Sequence, residues 1–136
     1  MREFEEYIKS GAVKKITPNP DLASALLKSS QKNLNFVSKL EINNENSEHI
    51  VQDCYDIIRE LIESRLSKEG YKSYSHEATI SFLRKFKQFS LQEIDFIDRL
   101  RVLRNNIKYY GKESNSEEAK LTLDFMNKIL SKLKEL

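Results

Sequence analysis

Apolar positions along this chain recur at helical spacing in successive segments, and no run sustains the alternation of a strand. Phe4, Tyr7 and Ile8 cluster within residues 1–10, before Gly11. Thr17-Pro18-Asn19-Pro20 punctuates the chain: Asn19 suits an N-cap, and Pro20 suits a first helical turn, where its missing N–H costs nothing. A helix is predicted from about Pro20 to Leu40, its inner face carrying Ala23, Leu26, Leu27, Ser30, Leu34 and Val37. After the polar break 42–47, a third helix runs from about Glu48 to Lys68. Its stripe of Val51, Cys54, Tyr55, Ile58, Leu61, Ile62 and Leu66 is the strongest in the chain, and Gly70 is placed to end it.

Tyr71-Lys72-Ser73-Tyr74 reads as a connector, and Ser75 caps a short helix carrying Phe82, Leu83 and Phe86. Ser90 and Glu93 have capping-box spacing, so a fifth helix starts near Leu91 and runs to about Tyr109 on Ile94, Ile97, Leu100, Leu103 and Ile107. Gly111 ends it. The segment 114–118 supplies another capping box and an acidic first turn for a last helix built on Leu123, Met126, Ile129, Leu130 and Leu133. The fold class expected is therefore all-α, a bundle of four long helices plus one or two short ones. With 136 residues the chain makes a single domain: residues 1–18 are expected to be an N-terminal helical extension, and 19–136 the bundle. Periodicity alone does not determine the bundle's connectivity.

Composition agrees: three glycines, two prolines and 32% charged residues favour long helices over sheets. No stretch nears the ~20 apolar residues of a membrane span. The charged N-terminus does not read as a secretory signal, and a lone cysteine forms no internal disulfide, which together predict a cytoplasmic protein.

Much chemistry is absent from the sequence. There is no glycine-rich phosphate loop. One cysteine and two histidines build no conventional zinc site, and no Glu-x-x-His pair repeats on two helices, so neither a metal nor a cofactor is expected. Cys54 falls on an apolar stripe as a small buried side chain. His49 reads as a surface residue in a first helical turn, and His76, after the cap Ser75, as polar helix-start chemistry with a catalytic role as the competing reading.

The formal charge of +2 argues for no particular partner, but its distribution is uneven. Arg99, Arg101, Arg104, Lys108 and Lys112 span a stretch without an acidic residue, which suits either a solvated face or contact with phosphate. Arg104 lies four residues after Leu100 and three before Ile107, on their side of the helix. A guanidinium at the edge of an apolar stripe must snorkel, pair with a carboxylate or face a polar cleft. Asn105 and Asn106 beside it are poor helix formers with spare hydrogen-bonding capacity.

At Arg104-Asn105 the chain resembles the HEPN superfamily (higher eukaryotes and prokaryotes nucleotide-binding), helical bundles whose signature is Arg, often with Asn directly after it, followed by four to six residues and then His. The long helix ending at Gly70-Tyr71-Lys72 and the start Ser75-His76-Glu77-Ala78 is similar to the family's usual passage between helices. The resemblance covers roughly Pro20 to Leu136. It departs from the signature at one point: where an active HEPN ribonuclease has His, this chain has Tyr109 or Tyr110. In the family, Arg and His of two subunits meet across a dimer interface and cleave RNA without metal. A phenol with a pKa near 10 does not replace imidazole readily in proton exchange, though tyrosine can stack on a base and arginine can hold a phosphate. In toxin–antitoxin pairs of the family a tyrosine near the motif is nucleotidylated by a partner nucleotidyltransferase. Tyr110 is the analogue here, although Gly111 occupies the commonest spacing.

Three functional expectations follow from this resemblance. The first is a homodimer that binds RNA or a nucleotide through Arg104, Asn105, Lys108, Tyr109, Tyr110, Arg101 and His76, with cleavage weak or lost. The second is a metal-independent ribonuclease toxin, in which Arg104, Asn105 and Tyr109 act or His76 is contributed from elsewhere. The third is a bundle that docks a nucleotidyltransferase or another protein.

Overall fold

A computed structural model describes all residues, 1–136. The chain folds as α1 (Phe4–Ser10), β1 (Val13–Lys15), α2 (Pro20–Ser38), α3 (Ser47–Glu69), β2 (Tyr71–Ser73), α4 (His76–Ser81), a 3-10 turn (Phe82–Lys85), α5 (Leu91–Tyr110) and α6 (Ser116–Lys134). The four long helices stand where the 3.6 period puts them, so the architecture is a predominantly α-helical bundle. No helix is long and apolar enough to cross a membrane.

Local chemistry starts and stops these helices. Asn19 Oδ1 accepts from the Leu22 N–H, Ser75 caps α4 through the Ala78 N–H, and Ser90 with Glu93 completes a reciprocal capping box at α5. At α6 the cap is Asn115, which accepts from the Glu118 N–H, while the Glu118 carboxylate accepts from Ser114 Oγ instead of closing the box.

α3 is the central element, and α2, α4, α5 and α6 all pack on it. Ile50, Tyr55, Ile57, Ile58, Ile62 and Leu66 are almost wholly removed from water. Each such aliphatic side chain contributes about 1.5–3 kcal/mol from burial. On α2 the inner face is narrower than the sequence pattern implies: Ala23, Ser30 and Val37 are buried, whereas Leu27 is exposed.

Two features depart from the sequence reading. Residues 71–73, expected to be a plain connector, pair antiparallel with 13–15 in a small ribbon, Val13 opposite Ser73 and Lys14 opposite Lys72. Residues 1–18 are helical only over Phe4–Ser10, and they join the core instead of extending from it: Phe4, Tyr7 and Val13 are buried. The Phe4 ring lies 4.9 Å from Phe82 and 5.3 Å from Tyr71. Tyr7 Oη donates to Glu77 Oε1 at 2.8 Å, tying α1 to α4, and burial followed by this bond pushes the Tyr7 hydroxyl up to about 12.

Candidate functional site

On α3, Tyr55 points into the core, and Asp56 and Arg59 follow at its edge. α5 packs on this side of α3 and brings Arg104 with it. Arg104 is only 5% exposed. Its Nη2 lies 3.3 Å from Asp56 Oδ1, and its guanidinium carbon lies 5.7 Å from the centre of the Tyr55 ring. The Asn105 amide oxygen is 3.5 Å from Nη1. Asp56 Oδ1 also faces Arg59 Nη2 at 3.5 Å, so one carboxylate is shared by two guanidiniums. Arg59 Nη1 lies 3.9 Å from Glu63.

α4 contributes His76 as its first residue. Its ring lies 6.0 Å from that of Tyr55, and Nε2 is 3.4 Å from Arg59 Nη1. A guanidinium can only donate, so this contact requires a neutral imidazole with its proton on Nδ1. Burial holds the His76 pKa below the ordinary 6.5, and the charges of Arg59 and Arg104 push the same way against Asp56. Burial also drives the Tyr55 hydroxyl well above the ordinary phenol range, against the opposing pull of Arg59, Arg101 and Arg104. Arg101, one turn before Arg104, is held by Asp98 at 2.8 Å.

Three buried donors in this cluster, Tyr55 Oη, Arg59 Nε and Arg104 Nε, have no hydrogen-bond partner. Buried donors normally find acceptors, and leaving one unmatched costs about 1–3 kcal/mol. Each of the three has a proton free to donate, and the guanidinium edge suits an oxyanion.

The site residues expected from the sequence divide into two groups. Arg104, Asn105 and His76 come together around Asp56 and Arg59, while Arg101, one turn before Arg104, is paired with Asp98. Lys108, Tyr109 and Tyr110 lie at the exposed end of α5, where Tyr109 is 64% and Tyr110 82% exposed, and Lys108 approaches only the Tyr109 ring, at 5.5 Å. His49 is exposed on the first turn of α3. Cys54 is buried, and burial, reinforced by Asp53, pushes its thiol up to about 12, which leaves no nucleophilic thiolate near neutral pH. Asp56, Arg59 and Tyr55 carry no mark of a site in the sequence. Asp56, Arg59 and Glu63 sit on α3 at the ordinary spacing of surface ion pairs, and only the approach of α4 and α5 adds His76 and Arg104 to them.

The fold and site together define a helical bundle with a partly buried arginine–aspartate–histidine cluster where three helices meet. Comparison with protein-family models, with curated proteins and with solved structures finds no match for this chain.

Proposed function

We propose that this chain is a HEPN-like protein that binds RNA or a nucleotide by its phosphate, as a homodimer, with RNA cleavage weak or lost. The observation that carries this reading is the set of donors without acceptors, Tyr55 Oη, Arg59 Nε and Arg104 Nε, beside the Asp56 carboxylate that Arg59 and Arg104 share. A phosphate oxygen accepts from such donors and adds negative charge where two guanidiniums divide one aspartate. The dimer is supported by α5: Leu91, Val102 and Tyr109 are exposed at spacings of eleven and seven, which places them on one outward stripe.

A second reading, a metal-independent ribonuclease, is favoured by His76. A neutral imidazole 3.4 Å from Arg59 supplies the proton acceptor that Tyr109 and Tyr110 do not. The third, a protein-docking bundle, is favoured by the Arg104–Asp56 pair, because a guanidinium already held by a carboxylate also serves to fasten α5 to α3.

The deciding experiment incubates the protein and its Arg104→Ala and Arg104→Lys variants with structured and single-stranded RNA and measures both retention and cleavage. Binding that falls in both variants, without product, supports the first reading. Cleavage that disappears with Arg104→Ala and with His76→Ala establishes the second. Absence of binding to RNA and to nucleotides leaves the docking bundle.

A further inference from the structure

The ribbon presents a surface distinct from the arginine cluster. Lys14 and Lys72 are directly opposed across the antiparallel pair, so their side chains leave the same face, and both are exposed. Like charges in that relation repel, and no carboxylate lies within ion-pair distance of Lys14, Lys15 or Lys72. What the two ammonium groups approach instead is Tyr74, at 5.6 and 5.3 Å from its ring centre. Tyr74 is itself 60% exposed. The surrounding segments, 12–20 and 70–76, contain no acidic residue. A cationic pair flanking an open aromatic ring, with no internal anion, matches a ligand that is both anionic and planar.

We propose that this outer face of the ribbon is a contact site for single-stranded nucleic acid, with a base stacking on Tyr74 and neighbouring phosphates held by Lys14 and Lys72. Stacking on an aromatic face needs an unpaired base, so the site prefers a single strand to a duplex and is tolerant of sequence. Tyr74 is two residues from His76, with Ser75 extended between them, so about 7 Å of backbone separates this platform from the arginine cluster. A strand can therefore engage both, but the ribbon site does not depend on the cluster.

The test is fluorescence anisotropy of the full chain with a labelled single-stranded RNA and a blunt duplex of the same sequence, over a salt series. The variants are Tyr74→Ala, the double Lys14→Gln/Lys72→Gln, Arg104→Met, and Lys128→Gln on exposed α6 as a control. All ribbon changes are at exposed side chains, and unchanged thermal unfolding verifies the fold. Tyr74→Ala is expected to weaken single-strand binding about tenfold and duplex binding little. The double lysine variant is expected to weaken both and to flatten the single-strand salt slope by about 1.4, two contacts at about 0.7 each. Ribbon variants that bind like the parent, or a parent that does not bind RNA at low salt, overturn the proposal. So does loss of binding to phosphatidylserine vesicles in the lysine variant while RNA binding is retained. Loss in Arg104→Met alone removes the ribbon and keeps the phosphate cluster; loss in the ribbon variants alone does the reverse.

Discussion

Asp56 Oδ1 lies 3.3 Å from Arg104 Nη2 and 3.5 Å from Arg59 Nη2, so a single carboxylate on α3 counters guanidiniums from two helices. Arg104 is the more buried of the two and depends on that charge. Removing only the carboxylate leaves the cation in place and uncompensated, whereas removing the cation with its volume kept leaves an apolar side chain against Tyr55. Asp56→Asn should therefore lower stability by about 1–3 kcal/mol, and Arg104→Met by less, because Asp56 keeps Arg59 and part of its hydration. Urea unfolding at constant m-value measures both. If the cluster takes phosphate, Asp56→Asn also tightens phosphate binding while it destabilises the fold. Equal costs for the two substitutions would reject the charge argument.

His76 gives the site a pH dependence of definite sign. The groups acting on its ring are Arg59, Arg104 and Arg101, which disfavour protonation, and Asp56, which favours it, all on top of burial. The folded-state pKa is thus below the unfolded value near 6.5. Between those two values the unfolded chain binds more protons, so stability falls as pH drops through that interval and is fully present above it. An NMR titration of the His76 ring should give a midpoint below 6.5, and Arg59→Met should raise it. His76→Gln should flatten the same stretch of the stability–pH curve. A midpoint above 6.5 would mean that Asp56 outweighs both burial and the arginines.

What was legible in the sequence follows from how local each signal is. The helices of Ile58, Ile97 and Ile129 are legible because their partners in the pattern lie one turn away, and the caps Asn19, Ser75 and Ser90 act within three residues. The ribbon was not, because strands of three residues are too short to show alternation and Lys14 meets Lys72 only through the fold. For the same reason the sequence places Phe4 in an N-terminal helical extension, whereas the fold sets Phe82 and Tyr71 against its ring. At the site, Arg104 announced itself as a charge on an apolar stripe. Asp56 and Arg59 carry no such conflict, since charged residues three apart on a helix are ordinary surface chemistry until another helix covers them.

Gly70 shows the same difference between local and tertiary information, and it can be tested against Gly111. Both glycines follow a long helix, and both adopt a left-handed conformation, with φ of 87° and 66°. From sequence they are equivalent helix stops. In the fold, a Cβ at Gly70 would lie 2.6 Å from the Ile16 carbonyl oxygen and 3.2 Å from the Pro18 ring, whereas one at Gly111 meets nothing within 4 Å. Alanine at either position costs about 1–2 kcal/mol for the left-handed backbone. At Gly70 the displaced backbone adds about 1–3 kcal/mol more, by the same strain as an overpacked core. The Ile16 N–H donates to the Gly70 carbonyl at 2.9 Å, so Gly70→Ala should also speed amide exchange at Ile16, next to the ribbon, and Gly111→Ala should not. Equal stability losses in urea, with Ile16 exchange unchanged in both variants, would show that this close approach contributes nothing.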